Sequence, residues 1–511
     1  MPGMPSICLS WMRRHAGLKH GRHYTDRKGL LQMALMNVMT KYGPLIGVAS
    51  EICPDVSVFR GVPYAAPPLG DKRFALPVPP APWDEPLVCE SFSPSCTQIP
   101  KGANTAEGSE DCLYLNIWTP AETQDKKLPV MVWIHGGAFS SGSGGDPDFE
   151  GSAVSQNGVI VVTIKYRYGP LGFFSLPSLR EKGLGGKLGL MDQIAALQWI
   201  HENIEAFGGN PGCVTVFGQS AGGISVRMLL CSGRTDGLIH RAIIESGGGL
   251  AEADPVRQRQ DFESICQGAM NHLGWTAEDL LQKDAGELVS GLTTAAREIA
   301  TGFEVGYFQP FIDHTVLHAV PAESVRSGEY LDVPILNATV AGDSWMFSRK
   351  VQPIMGDNRE AARAFSYAAS IAWAQENLAS GRRPLYAFYF DRTQPLSGRM
   401  PPKARFGMQT PHCSEIPYVF GTLSVRRNTV DSVDETLSKQ MMAYWTNFAR
   451  TGDPNGDGLT VWPPYTYEAP VALHIGDSGV HAENLVQSPV EQATLDYIRQ
   501  HPGMLDELEI K

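Results

Sequence analysis

Gly218-Gln219-Ser220-Ala221-Gly222 is the stretch whose residue types and spacing could do covalent chemistry. A serine between glycines at a sharp strand-to-helix bend projects its hydroxyl as a nucleophile. Larger flanking side chains would clash in so tight a turn. The bare pattern arises by chance in a glycine-rich chain, so its setting decides the reading. Val214-Thr215-Val216-Phe217 leads in as a buried strand, and Ile224-Ser225-Val226-Arg227-Met228-Leu229-Leu230 leads out with helix-compatible apolar spacing. That setting favours a nucleophile elbow over an ordinary glycine-rich turn.

A nucleophile attacking a carbonyl needs donors for the negative charge that develops on oxygen, and backbone N–H groups supply them without reorganisation. Upstream, Leu128-Pro129-Val130-Met131-Val132-Trp133-Ile134 reads as another buried strand and runs into His135-Gly136-Gly137-Ala138-Phe139. An HGG-type turn after an early strand, with the N–H that follows the nucleophile, makes such a hole. Taken alone, this turn and the following Ser141-Gly142-Ser143-Gly144-Gly145 read equally well as a flexible glycine loop. The elbow downstream favours the oxyanion reading.

A serine nucleophile also needs a base and an acid, in the order Ser, acid, His for a strand–elbow–helix site. Candidate downstream acids include Asp313, Glu329, Asp332 and Asp343, and candidate downstream bases include His412, His474 and His481. Spacing does not choose among them. Asp343 follows the strand-like run Val333 to Val340, and catalytic acids belong just past strand ends. His412 follows Thr410-Pro411, where proline breaks the chain into a loop.

Ordered motifs along the chain resemble the type-B carboxylesterase family, which includes carboxylesterases, cholinesterases and nitrobenzyl esterases. They run from Phe59-Arg60-Gly61-Val62-Pro63-Tyr64-Ala65 through Glu110-Asp111-Cys112-Leu113-Tyr114-Leu115-Asn116-Ile117-Trp118 and the HGGAF turn. Tyr166-Arg167-Tyr168-Gly169-Pro170-Leu171-Gly172-Phe173, Asp192-Gln193-Ile194-Ala195-Ala196-Leu197 and Phe207-Gly208-Gly209-Asn210-Pro211 precede the elbow. Trp445-Thr446-Asn447-Phe448-Ala449 lies far beyond it. The resemblance spans residues 44 to 470. It implies an α/β-hydrolase fold: a mostly parallel central sheet flanked by helices, with helical insertions shaping an active-site gorge. It also implies hydrolysis of small to medium carboxylic esters through an acyl-enzyme, with no metal or cofactor.

The resemblance assigns further residues. His412-Cys413-Ser414-Glu415-Ile416-Pro417-Tyr418-Val419-Phe420-Gly421 looks like the family's histidine motif, which selects His412. Aligned on Val333-Pro334 and Phe347, the family's acidic glutamate falls on Asp343, one methylene shorter, so this loop must approach His412 more closely. A structural role for Asp343, capping the turn, is the alternative. Gly137, Ala138 and Ala221 match a three-donor oxyanion hole. Ser246 resembles a serine lying behind the triad, or is a strand-end turn residue, and Gln219 stands where several relatives carry glutamate. Cys96 and Cys112 match a loop-closing disulfide of about 16 residues, worth roughly 3 kcal/mol on the chain-entropy model. In cholinesterases an aromatic residue of that loop holds a quaternary ammonium. Thr97 to Asp111 contains no Trp, Tyr or Phe, which argues against a choline ester.

The elements that position these groups fit one large catalytic domain, residues 42–511, since no linker, charge block or repeat divides the 511-residue chain. Residues from about Asp254 to Gln309 show helical periodicity in Phe262, Cys266, Met270 and Leu273. A helical lid would make the enzyme a lipase, and loss of the nucleophile would make the fold a binding protein. The intact Ser220, His412 and HGGA turn argue against the latter.

A net charge of −12 argues against nucleic acid and anionic membranes, and no apolar run is long enough to span a bilayer. The expected partner is a small-molecule ester, and the oligomeric state is not legible. Residues 1–41 read as a non-catalytic extension, disordered or produced by an over-long gene start upstream of Met33, Met36 or Met39. The apolar patch Leu30 to Met36 is late and interrupted, unlike a signal peptide. Its absence suggests a cytoplasmic protein, whereas a Cys96–Cys112 bridge would suggest secretion. The nine cysteines leave at least one unpaired within the chain.

Overall fold

The computed structural model describes residues 35–100, 102–251, 258–299, 307–344, 359–393, 410–426 and 429–501. Its strands are β1 (Asn37–Met39), β2 (Pro44–Ile46), β3 (Val48–Ala49), β4 (Ser57–Pro63), β5 (Leu87–Val88), β6 (Tyr114–Thr119) and β7 (Leu128–Ile134). They continue as β8 (Ile160–Ile164), β9 (Gly209–Gln219), β10 (Arg241–Glu245), β11 (Ile335–Val340), β12 (Tyr386–Phe390), β13 (Ala472–Gly476) and β14 (Gly479–Glu483). The longer helices are α1 (Leu188–Asn203), α2 (Ala221–Leu230), α3 (Arg259–Leu273), α4 (Ala285–Ile299), α5 (Arg359–Ala379), α6 (Ser432–Thr451) and α7 (Pro489–Gln500).

Eleven strands form one sheet in the order β14-β13-β12-β11-β10-β9-β7-β8-β6-β4-β3. From β8 to β13 the neighbours run parallel. Antiparallel strands close both ends. Such a parallel centre must be covered on both faces, and the sequence provides for it with continuous apolar strands. Along β7, Val130, Val132 and Ile134 face one core, which includes Ile194 and Leu197 of α1, Val226 of α2 and Ala368 of α5. The alternate residues Met131 and Trp133 face the other core, with Trp445 and Phe448 of α6. There the Trp133 ring lies 4.9 Å from Phe217 and 5.0 Å from Phe420, between centroids.

This topology places the site. The chain leaves β7 for β8 on one side and returns to β9 on the other, so β7 and β9 are adjacent although distant in sequence. Ligands bind outside the carboxyl ends of parallel strands where the order reverses in this way. β7 runs into His135-Gly136-Gly137, and β9 runs into Ser220.

The sequence-derived extension overlaps the described chain at its last residues. β1 pairs antiparallel with β2, which pairs parallel with β5 in a small separate sheet. Residues 1–34, including most of the apolar patch from Leu30, lie outside the described residues. Among the described residues no helix is long and apolar enough to cross a membrane.

Candidate active site

Ser220 sits between the end of β9 and the start of α2 with φ 56° and ψ −126°. A side chain in that region strains the backbone by about 1–3 kcal/mol, so neighbouring contacts must hold it. The Ser220 N–H donates to the Glu245 carbonyl at 2.9 Å, and the Ser220 carbonyl accepts from Ile224 at 2.8 Å. A Cβ on Gly222 would lie 1.9 Å from the Ile134 carbonyl oxygen. Glycine there lets the elbow pack directly against the end of β7.

From that same end the HGG turn begins. Gly137, Ala138 and Phe139 take positive φ in succession, at 116°, 55° and 54°. The Gly137 carbonyl is turned away to accept from Ser140 and Ser141 at 3.0 and 3.1 Å. Among the described residues, no acceptor engages the N–H groups of Gly137, Ala138 or Ala221. Three donors are thus left at the mouth of the β7–β9 crevice.

The turn is braced from behind. His135 stacks on Tyr166 at 4.6 Å, and burial lowers its imidazole to about 4, so it is neutral packing rather than a base. Cys96 and Cys112 form a disulfide. Tyr168 donates to the Cys96 and Gly142 carbonyls at 3.0 and 2.9 Å, tying the bridged loop to the glycine loop. Gln98 adds a two-way amide bond to Gly142, at 2.9 and 3.2 Å.

Asp343 and His412 meet: Oδ1 of the aspartate lies 2.5 Å from Nδ1 of the imidazole. The other carboxylate oxygen accepts from the Val340 N–H at 3.0 Å, which fixes the acid against the end of β11. Asp343 therefore caps its turn and faces the histidine at once. The shorter acid reaches because the loops touch. A Cβ on Gly342 would lie 2.4 Å from the Thr410 carbonyl oxygen and 2.6 Å from the His412 nitrogen. Phe347, the far end of the alignment that selected Asp343, lies outside the described residues. Burial opposes charge on His412, but Cys413 and the Asp343 carboxylate more than offset it, so the imidazole is held well above its ordinary range.

No hydrogen bond joins the Ser220 hydroxyl to His412 among these described residues. Such bonds often tighten only in the substrate complex. Gln219 contacts the ring instead, its amide nitrogen 3.4 Å from Nδ1 and 3.2 Å from Nε2. Its carbonyl oxygen accepts from Cys413 Sγ at 3.1 Å.

The other acids and bases lie in different settings. Asp313 caps its own loop, accepting from Val316 at 2.8 Å, and pairs with Lys187 at 3.1 Å. Asp332 faces Arg382 and Arg383, and Glu329 donates its N–H to Ser324 within a turn. His474 and His481 lie on the β13–β14 hairpin. Ser246 follows β10 with φ 49°, donates its N–H to the Ala338 carbonyl at 2.8 Å, and has a buried hydroxyl without a hydrogen bond.

Two groups at the site went unnoticed in the sequence. Glu245 and Glu415 are completely buried. Glu245 accepts from Trp445 Nε1 at 2.8 Å, while neither carboxylate oxygen of Glu415 has a hydrogen bond. Burial pushes both acids up to about 8, and the charges of Glu245 and Asp343 add to the effect on Glu415. Both stood inside recognised motifs, one position before Ser246 and three after His412.

Comparison with known proteins agrees with this geometry. The model of the Carboxylesterase family matches residues 35–364 and 351–493. The para-nitrobenzyl esterase of Bacillus subtilis is 33% identical over 505 residues, covering 89% of this chain and 97% of that protein. The fumonisin B1 esterase of Sphingopyxis macrogoltabida is 32% identical, covering 88% of each. Among solved structures, a thermophilic PNB esterase superposes with a TM-score of 0.76 at 30% identity, over 90% of this chain and 100% of that one. A carboxylesterase of Geobacillus stearothermophilus gives a TM-score of 0.74 at 32% identity, over 90% and 100%. An elbow serine, an HGG turn and an Asp–His pair on an α/β-hydrolase sheet thus coincide with similarity over nearly the whole chain: the protein belongs to the carboxylesterase family and is a carboxylic ester hydrolase.

Proposed function

We propose that Ser220 is the residue acylated, His412 the general base and acid, and Asp343 the residue that orients His412. The observation carrying this reading is the 2.5 Å approach of Asp343 to His412 Nδ1, which leaves Nε2 as the nitrogen open to the serine proton. His412 Nε2 takes the proton from Ser220 Oγ as Oγ attacks the ester carbonyl. The oxyanion is received by the N–H groups of Gly137, Ala138 and Ala221. The imidazolium, stabilised by Asp343, protonates the departing alkoxide, and the alcohol leaves an acyl-Ser220. Water, deprotonated by the same nitrogen, attacks the acyl carbonyl, and Ser220 departs with the proton from His412.

The substrates fitting this site are small to medium carboxylic esters without a quaternary ammonium, because the bridged loop offers no ring for cation–π binding. An organophosphonate serine reagent tests the assignment. One mass increment should appear on the peptide containing Gln219 to Gly222 and vanish in Ser220→Ala. Labelling elsewhere, with activity surviving in that variant, would overturn it. A nitrophenyl ester series of increasing acyl length tests the substrate range, and saturation without a rate jump at the solubility limit is expected of an esterase.

A further inference from the structure

The last hairpin of the sheet carries ligand-type side chains that ester hydrolysis does not use. In β14, His481 and Glu483 are two residues apart and so share a face. The antiparallel register sets His474 of β13 directly opposite His481, and their ring centroids are 4.9 Å apart. On the other side of β13, β12 ends at Phe390. The next residue, Asp391, donates its N–H to the Ile475 carbonyl at 3.1 Å. Its carboxylate thereby comes to 2.7 Å from His474 Nε2. His474 Nδ1 lies 2.8 Å from Glu483 Oε1, and His481 Nε2 lies 3.6 Å from Glu483 Oε2. One ligand atom from each of His474, His481 and Glu483 can be chosen so that all lie within 4.8 Å of one another.

The plain alternative is a protonated His474 clamped between two carboxylates. Its geometry is poor. The two carboxylates hold His474 above its ordinary range against the cost of burial, yet among the described residues neither contact, at 2.7 or 2.8 Å, has the direction of a good hydrogen bond. A lone pair on Nδ1 directed at an ion shared with Glu483 accounts for that arrangement.

We propose that His474 Nδ1, His481 and a Glu483 carboxylate oxygen form a zinc site, with Asp391 2.7 Å from the other nitrogen of His474. Two imidazoles and one carboxylate suit zinc, and three protein ligands leave the fourth tetrahedral position to water. The side chains of His481 and Glu483 are 42% and 30% exposed, so that position opens to solvent. A carboxylate behind a ligating imidazole is the usual outer partner of such a metal, and Asp391 takes that place once the ring turns its Nε2–H toward it. Bonds of about 2.0–2.2 Å require small rotations of the two exposed side chains and no movement of the strands. The ion would tie β14 to β13 and, through Asp391, to β12. Its role is to fasten the edge hairpin to the rest of the sheet.

The test is calorimetric titration of the untagged full-length enzyme with zinc chloride at about pH 8, above the ordinary range of imidazole, alongside melting curves with and without zinc. One equivalent should bind and raise the melting temperature. His481→Ala and Glu483→Gln should each weaken binding by at least about tenfold and abolish the zinc-dependent shift. Asp391→Asn should weaken it by about 10- to 100-fold. No binding by the wild-type enzyme would overturn the proposal, as would binding and a melting shift unchanged in the folded His481→Ala variant.

Discussion

The amide nitrogen of Gln219 stands 3.2 Å from His412 Nε2, the nitrogen proposed to accept the Ser220 proton. The Cys413 thiol holds the amide in that orientation by donating to its oxygen at 3.1 Å. At 3.4 Å from Nδ1 as well, the amide lies over the ring and leaves the in-plane Nε2 lone pair free, and the positive end of its N–H dipole favours the neutral imidazole. Gln219→Glu removes the donor and adds a negative charge, so it should raise His412 further. The acid limb of the pH profile of kcat/KM should then move up by about one unit, a differential of about 1.4 kcal/mol. An unmoved limb would show that the amide does not face His412 in the working enzyme.

Asp343→Asn should keep the fold yet lower kcat by up to about 10⁴, because the amide favours the wrong tautomer. Asp343→Glu should retain more activity than Asn, since the charge survives. It should fall short of wild type, because the Gly342 and Thr410 backbones are already in contact. Reduced thermal stability with near-normal turnover would reveal a residue that only caps its turn through Val340.

Glu245 and Glu415 make stability depend on pH in a definite direction. Their carboxyls are raised to about 8 in the folded protein, above an unfolded value of about 4.5. The folded state therefore binds more protons than the unfolded state between those values. This contribution is complete below about pH 4.5, declines as pH rises through the window, and is gone above about 8. Glu415→Gln, which mimics the protonated acid, should flatten the fall in melting temperature from pH 5 to 8 by roughly half. An unchanged slope would place the titrating group elsewhere.

The Cys96–Cys112 bridge should be recovered as one linked species when enzyme made in an oxidising host is mapped without reduction. Cys112→Ser should lower stability by roughly 3 kcal/mol. It should also loosen the loop that Gln98 and Tyr168 tie to Gly142. Free thiols at both positions in such material would contradict the pairing.

What was legible in the sequence was local. The elbow, the HGG turn and the strands leading into them are encoded by neighbouring residues, and the unbroken apolar run of β7 announces a buried strand. His412 was legible through the motif around it. The acid was not selected by spacing, because Asp343 reaches His412 through a contact between two loops far apart in the chain. The pairing of Gln219 with His412 joins residues 193 apart in the chain, which no local pattern marks. Glu245 and Glu415 escaped notice because acids are ordinarily exposed, and only the packed sheet shows these two sealed inside.

Ser220 occupies a backbone position that favours glycine. At φ 56° and ψ −126° a glycine would rest more easily, and the elbow is held in place by the Glu245 carbonyl and by the packing of Gly222 on Ile134. A serine held there sets conformational ease against the chemistry proposed for it, and the two can be separated. Ser220→Gly should melt at a higher temperature than the wild type and hydrolyse nothing, a trade between durability and activity confined to a single side chain.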